Sequence, residues 1–440
     1  MSESSPVSTF STWIKESISA RVLFVGVLIL LLLIPLAMVQ DVIRDREDRS
    51  NEAINEVSYK WGNAQTVGGP ALILPVQLER INPSETESQY YINNIVVLPN
   101  QLDYMADVKA EERKRGIFTV PLYRTEIAFR GHIETDDILK AIGRDNGIVL
   151  WDRARIVLKV SDAKGLRNTP RMLFNGESLE FTPRTEGKFI GGEALVANVE
   201  GYEGGRINFQ GNISINGTNS LSFLPLGSVT NAEIKSNWIH PKFIGDYITS
   251  QNPQVTEAGS IGTWQVLEMN RGYARIFHDY NNSILHNNFG VELMKPVNHY
   301  TMSERSAKYG ILIISLTFIV FLLIQLVVNL KVHTIQYLMV GFGLVLFYLL
   351  LVAFSERIGF SPAYLIASLM TTVLITWYAH SIYRKRNPTI ALGSTLVLTY
   401  GLLFMVMQLE DVALLIGAII LFIALGVLMY FTRKIPSSQV

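Results

Sequence analysis

Five apolar stretches crowd the last third of the chain, from Tyr309 to Phe431, and a sixth stands alone from about Val22 to Val39. Each runs for roughly 18 to 22 residues with few or no charges, the length a helix needs to cross a hydrocarbon core roughly 30 Å thick. Lipid offers the backbone no hydrogen bonds, so only helices and closed barrels span it, and these are helix-length runs. The expected fold class is therefore membrane α + β: six transmembrane helices, one N-terminal and five C-terminal, with a large, predominantly β periplasmic domain inserted after the first. The expected spans are 22–39, 309–330, 335–354, 360–380, 389–408 and 412–431, the inserted domain is 40–308, and residues 1–21 and 432–440 are cytoplasmic.

Net charge is +0, with 38 Lys and Arg against 38 Asp and Glu, and the basic residues gather into no stripe, so no nucleic-acid partner is expected. The chain has 0 cysteines, which excludes disulfides, thiol chemistry and cysteine zinc sites. The insert is long enough to be held by its own hydrophobic core.

Orientation follows from lysine and arginine in the short connections. Lys331, Arg384, Lys385, Arg386, Arg433 and Lys434 fall on one side, against Arg305, Lys308 and Arg357 on the other. The richer side is expected to be cytoplasmic, which puts both termini there. The first span has too long an apolar run for a cleaved signal peptide, and Ala37-Met-Val-Gln40 is a weak cleavage pattern, so it reads as an uncleaved anchor.

Within the insert, Asp41 to Trp61 interleaves acids and bases with Val42, Ile43, Ala53, Ile54 and Val57, as a helix leaving the membrane would, with glycine at 62 as its stop. Thr66 to Pro75 reads as a glycine-proline turn into a short apolar strand. Alternating runs at Ile156–Val160, Ile207–Phe209 and Asn212–Asn216, set off by Asn216-Gly217 and Glu203-Gly-Gly205, read as strands with one buried face. Gly116–Gly131 and Gly205–Gly217 look alike, each a pair of short runs closed by glycine, as a duplicated β unit would be.

The chain resembles the CreD family of inner-membrane, cell envelope integrity proteins over nearly its whole length. The likeness rests on Ile34-Pro-Leu36 closing the first helix, Trp61-Gly62, Gly69-Pro70, Ser222-Phe-Leu-Pro-Leu-Gly227, and Trp238 with Pro241 to Gly245. In the membrane part it rests on Tyr309-Gly310, His333 with Gln336-Tyr337, Phe347-Tyr348, Ser355-Glu356, Gly359-Phe360, Ala363 to Ala367, Tyr400-Gly401 and Gln408 to Asp411. The resemblance implies a Gram-negative inner-membrane protein linked to envelope integrity, colicin tolerance and the β-lactam response, with expression tied to the Cre two-component system. It implies no reaction and no cofactor. Thr334 stands where such sequences usually carry proline, a change confined to the helix start.

Glu356, Glu410 and Asp411 fall at expected outer helix ends; Gln325, Asn329, His333, Gln336 and His380 fall toward the inner half. The plainer reading is that the acids end the spans, where water and headgroups are in reach. The sharper one makes Glu356, Glu410 and Asp411 a polar cluster at the outer mouth of the bundle, binding a cation, a proton or a lipid headgroup. His333 and His380 could form an inner proton relay or simply sit in the interface, and Gln336 stands with them as a candidate inner polar residue. Tyr337, Phe347, Tyr348, Tyr364, Trp377 and Tyr378 read as packing and anchoring aromatics, and Ala363/Ala367 and Ala413/Gly417 as close-approach pairs. His278-Asp279, His286 and His299 lack zinc-site spacing, and no nucleophile elbow, phosphate loop or dinucleotide turn is present. The expected protein is thus a non-catalytic envelope factor whose β domain binds an envelope protein or cell-wall component and is coupled to a bundle embedded in the lipid bilayer. The alternative is a small transporter or lipid-handling device gated by that domain.

Overall fold

The computed structural model describes residues 18–80, 89–136, 138–141, 147–279, 284–294, 299–328 and 332–408, together with 418, 419, 422, 426 and 429. The chain divides into two compact units, Met1–Ser50 with Val297–Val440, and Asn51–Pro296.

The first unit is helical. It contains most of α1 (Ile18–Trp61), then α2 (His299–Lys308), α3 (Gly310–Val328), α4 (Thr334–Ile358), α5 (Phe360–Tyr383) and α6 (Arg386–Gln408). Among the described residues, α1, α3, α4, α5 and α6 are long and apolar enough to cross a membrane. Leu23, Leu30, Ile34, Leu365, Val373, Trp377, Ile390 and Val397 lie exposed on their outer faces, as lipid contact requires. The stretch expected as a sixth span, 412–431, lies outside the described residues apart from isolated positions, as do Ala413 and Gly417. Glycines set the spacing of α1: a Cβ at Gly341 would meet Leu32 Cδ1, and one at Gly310 would meet Leu36 Cδ2 at 2.8 Å. Leucines therefore seat against bare backbone, the small-residue packing that membrane helices use.

Two boundaries differ from the sequence reading. The first helix is not closed at Ile34-Pro-Leu36; Pro35 lies inside a single 44-residue helix that runs to Trp61. Proline removes one backbone donor, and the rest of the ladder carries the helix through it. Ser355-Glu-Arg357 is likewise not a connection but the last turn of α4, which ends where Gly359 turns the backbone at φ +81. Loss of apolarity and loss of helix are different signals, and the glycine decides the second.

The second unit is a sandwich of two sheets. β1 (Gln65–Arg80) is central to one, flanked by the strands Ser220–Phe223 and Arg155–Val160 and also paired with β2 (Gln89–Val97). β3 (Gln101–Arg115) and β4 (Phe118–Glu134) form a long hairpin in the other, with Val229–Ser236 parallel to β3 and Arg206–Thr218 antiparallel to β4. Alternation places Leu102, Tyr104, Ala106 and Val108 inward, where they join Val67, Leu72, Ile156, Leu158 and Phe223 in one shared core. Tyr104 stacks on Phe223 across the two sheets with ring centroids 4.5 Å apart. Burying each such side chain contributes about 1.5 to 3 kcal/mol.

The glycine-proline stretch is not a turn. Gly68 to Pro70 sit inside β1, at a register shift between Gly68 and Ala71, with Gly69 at φ +110. The bulge is held by Tyr104, whose hydroxyl donates to Gly69 O at 2.9 Å and accepts from Gly69 N at 3.1 Å. Gly116–Gly131 and Gly205–Gly217 each fall mainly on one long strand rather than on a pair of short ones. They are direct neighbours, Tyr123 opposite Gly217 and Gly131 opposite Phe209. The Ser222–Gly227 motif has a structural account: the buried Arg271 Nη1 donates to the carbonyls of Pro225, at 3.0 Å, and Leu226, and Tyr273 Oη donates to Pro225 O at 3.0 Å.

Candidate functional site

Glu356 ends α4 with its carboxylate nearly enclosed, the side chain 11% exposed. Tyr300, in the first turn of α2, donates its hydroxyl to Glu356 Oε1 at 3.1 Å, and Arg46 of α1 brings Nε to 3.8 Å from the same oxygen. Burial, and then the neighbouring Glu356 carboxylate, push the Tyr300 phenol well above its usual value, so it stays a donor. A hydrogen bond to a charged acceptor is worth about 1.5 to 3 kcal/mol, whereas a half-solvated ion pair is worth about 0 to 1. Tyr300, rather than Arg46, therefore fixes the position of the carboxylate.

One turn along α2, Glu304 receives Arg44 Nε and Lys308 Nζ, each at 3.4 Å. Both acids thus face cations, and neither presents a bare negative charge to a metal. Among the described residues, no group of three His, Asp or Glu side chains is placed to hold a metal ion. The α2 face that carries Tyr300 continues through Ser303 and Ser306, both buried with hydroxyls that have no hydrogen-bond partner among the described residues. Glu410 and Asp411, the other two members of the expected cluster, lie outside the described residues.

The inner residues take local roles. His333 precedes α4, and its backbone N–H donates to Gln336 Oε1 at 2.8 Å while Gln336 N donates to His333 O at 2.9 Å. Gln336 thereby caps the helix start, satisfying a donor that the first turn leaves open. Thr334 occupies the first helical position, the one proline favours. His380 is exposed, with Nδ1 3.4 Å from Thr389 Oγ1. A buried polar pair in the bundle interior joins two residues that the sequence assigns to different roles: Tyr337 donates to Gln325 Oε1 at 2.6 Å. Arg46 and Tyr300 carry no local signal of their own. Arg46 belongs to a run of charges none of which stands out, and Tyr300 precedes the apolar stretch.

A second feature lies on the β unit. A groove of about 590 Å³ crosses the outer face of the β3–β4 sheet, floored by Met105, Ala128 and Gly211 and edged by Arg171, Gln210 and Asn212. No hydrogen bond or ion pair among the described residues engages the side chains of those three edge residues.

A family model described as "Inner membrane protein CreD" matches residues 17–437. The inner membrane protein CreD of Escherichia coli strain K12 is 29% identical over 413 residues, covering 92% of this chain and 91% of that protein. A crystal structure from Parabacteroides distasonis, 9% identical and covering 68% of this chain and 59% of its own, aligns with a TM-score of only 0.20 and carries no argument. The apolar helices, the β unit and the match across nearly the whole length agree: this is a multi-pass inner-membrane protein, and the chain belongs to the CreD family.

Proposed function

We propose that this protein is a non-catalytic envelope-integrity factor whose β unit faces the periplasm and binds an envelope component, a protein or a cell-wall polymer, through the groove edged by Arg171, Gln210 and Asn212. Six spans with both termini cytoplasmic complete this reading, in keeping with the lysines and arginines of the connections. The observation that carries it is the groove itself, where the polar side chains of Arg171, Gln210 and Asn212 border a floor that includes Met105 and Ala128 and have no hydrogen-bond or ion-pair partner among the described residues. A single helix contributing residues to both units supports coupling of a binding event to the bundle.

The test is Arg171→Glu combined with Gln210→Ala in cells lacking the native protein. The variant should accumulate normally yet fail to restore tolerance to envelope stress; full restoration would remove the groove from the reading. A second reading, a transporter or lipid-handling device, draws on the buried hydroxyls of Ser303 and Ser306 on α2, which have no hydrogen-bond partner among the described residues. It is abandoned if full-length protein in liposomes moves neither ions nor lipid.

A further inference from the structure

The last turn of α1 and the tip of the β3–β4 hairpin enclose a cleft of about 330 Å³, lined by Lys60 and Trp61 from the helix and Arg113, Lys114 and Arg115 from the hairpin, with Glu56 as its acid. Glu56 serves two cations. Its Oε1 accepts from Lys60 Nζ and from Arg115 Nη2, each at 2.9 Å, and its Oε2 accepts from Arg115 at 3.2 Å. Those bonds, Lys60 first, hold its carboxyl below the usual carboxylate range. Arg113 and Lys114 have no carboxylate at ion-pair distance among the described residues, so the cleft carries a positive surplus in a chain of net charge +0.

Trp61 gives the cluster a fixed centre. Its Nε1 donates to Tyr123 O at 3.3 Å, and its ring lies beneath two guanidiniums, Arg124 at 5.2 Å and Arg113 at 5.9 Å from the centroid. Arg124 is also drawn to Glu111 at 3.5 Å. Among the described residues, Arg113 has only the ring. A guanidinium held over an aromatic face is weakly hydrated, and its fork of N–H donors stays free to meet two oxygens at once. Strand alternation puts Arg113 and Arg115 on one face, and Gly116 at φ +62 turns the chain directly after them. Cations gathered this closely repel one another while the cleft is empty, a strain that an anion relieves. Phosphate matches the fork geometry better than chloride does.

We propose that the cleft binds a phosphate group, either as the free ion or as the phosphate ester of an anionic lipid headgroup, one with no choline cation to offset its charge. It is separate from the groove on the sheet face, so either can fail without the other. Full-length protein in phosphatidylcholine nanodiscs is titrated with inorganic phosphate against chloride at matched ionic strength, then with vesicles of phosphatidylglycerol against vesicles of phosphatidylcholine. Subtracting the emission of Trp61→Phe isolates the reporter ring. A saturable Trp61 response to phosphate assigns the free ion; a response to phosphatidylglycerol vesicles without one to phosphate assigns the headgroup. Arg113→Ala should weaken the response roughly tenfold or more. Arg113→Lys keeps the charge, loses the fork and should fall between. The proposal is overturned if neither phosphate nor phosphatidylglycerol gives a saturable response, or if Arg113→Ala binds as tightly as the parent.

Discussion

Buried tyrosines behave differently in the two units. In the β unit, Tyr104, Tyr123, Tyr202 and the partly buried Tyr273 all donate to backbone carbonyls, those of Gly69, Ser220, Gly205 and Pro225, at 2.7 to 3.0 Å. In the bundle, Tyr364 reaches Tyr400 O at 2.8 Å and Tyr337 must use the side chain of Gln325, while the hydroxyls of Tyr348 and Tyr383 are buried without a partner among the described residues. The reason lies in the backbone. Bulges and loops leave carbonyls turned aside from any ladder, whereas a helix commits its carbonyls along its own axis and screens them with side chains. A sheet domain can therefore place a polar side chain almost anywhere near a turn. Among these four bundle tyrosines only Tyr364 finds a carbonyl, and Tyr337 needs a second side chain.

Substitutions test that contrast in order of size. Arg271→Ala should do most harm, about 3 to 5 kcal/mol, because it removes two charge-assisted bonds, leaving Leu226 O without that donor and Pro225 O with Tyr273 alone; a denaturant midpoint for the β unit unchanged from the parent would refute it. Tyr104→Phe should cost about 1 to 3 kcal/mol, since the buried Gly69 N–H loses its acceptor, and hydrogen exchange at Gly69 should speed up. Tyr337→Phe strands Gln325 within the bundle and should lower its unfolding midpoint by the equivalent of about 1 kcal/mol. Tyr348→Phe removes a hydroxyl with no partner among the described residues and should change stability by less than about 0.5 kcal/mol, or raise it. Should Tyr348→Phe cost as much as Tyr104→Phe, the two units do not differ in the way described.

The division into apolar helices and a β unit was readable because burial and lipid contact both write themselves into runs and alternations of apolar residues. The end of α1 at Trp61 was readable for a similar reason, since glycine follows the last amphipathic turn. Gly68 to Pro70 misled because glycine and proline mark turns in local sequence, and only the neighbouring strand and the Tyr104 hydroxyl make a bulge of them. At the site, Glu356 was visible as an acid beside lipid. Its donor Tyr300 stands 56 positions away in sequence, and no local pattern joins the two. The Trp61 cleft was equally hidden, because the helix end and the hairpin tip meet only after folding.

The glycine seats of α1 impose an order on biosynthesis. Leu32 and Leu36 emerge from the ribosome early, but Gly310 and Gly341 are made only after the whole β unit. The roughly 270 residues between Leu36 and Gly310 take on the order of tens of seconds to translate. Through that interval the first helix must wait in the bilayer without its partners. Leucine can wait there at no cost, since lipid tails solvate it as well as a neighbouring helix does, and a polar seat could not.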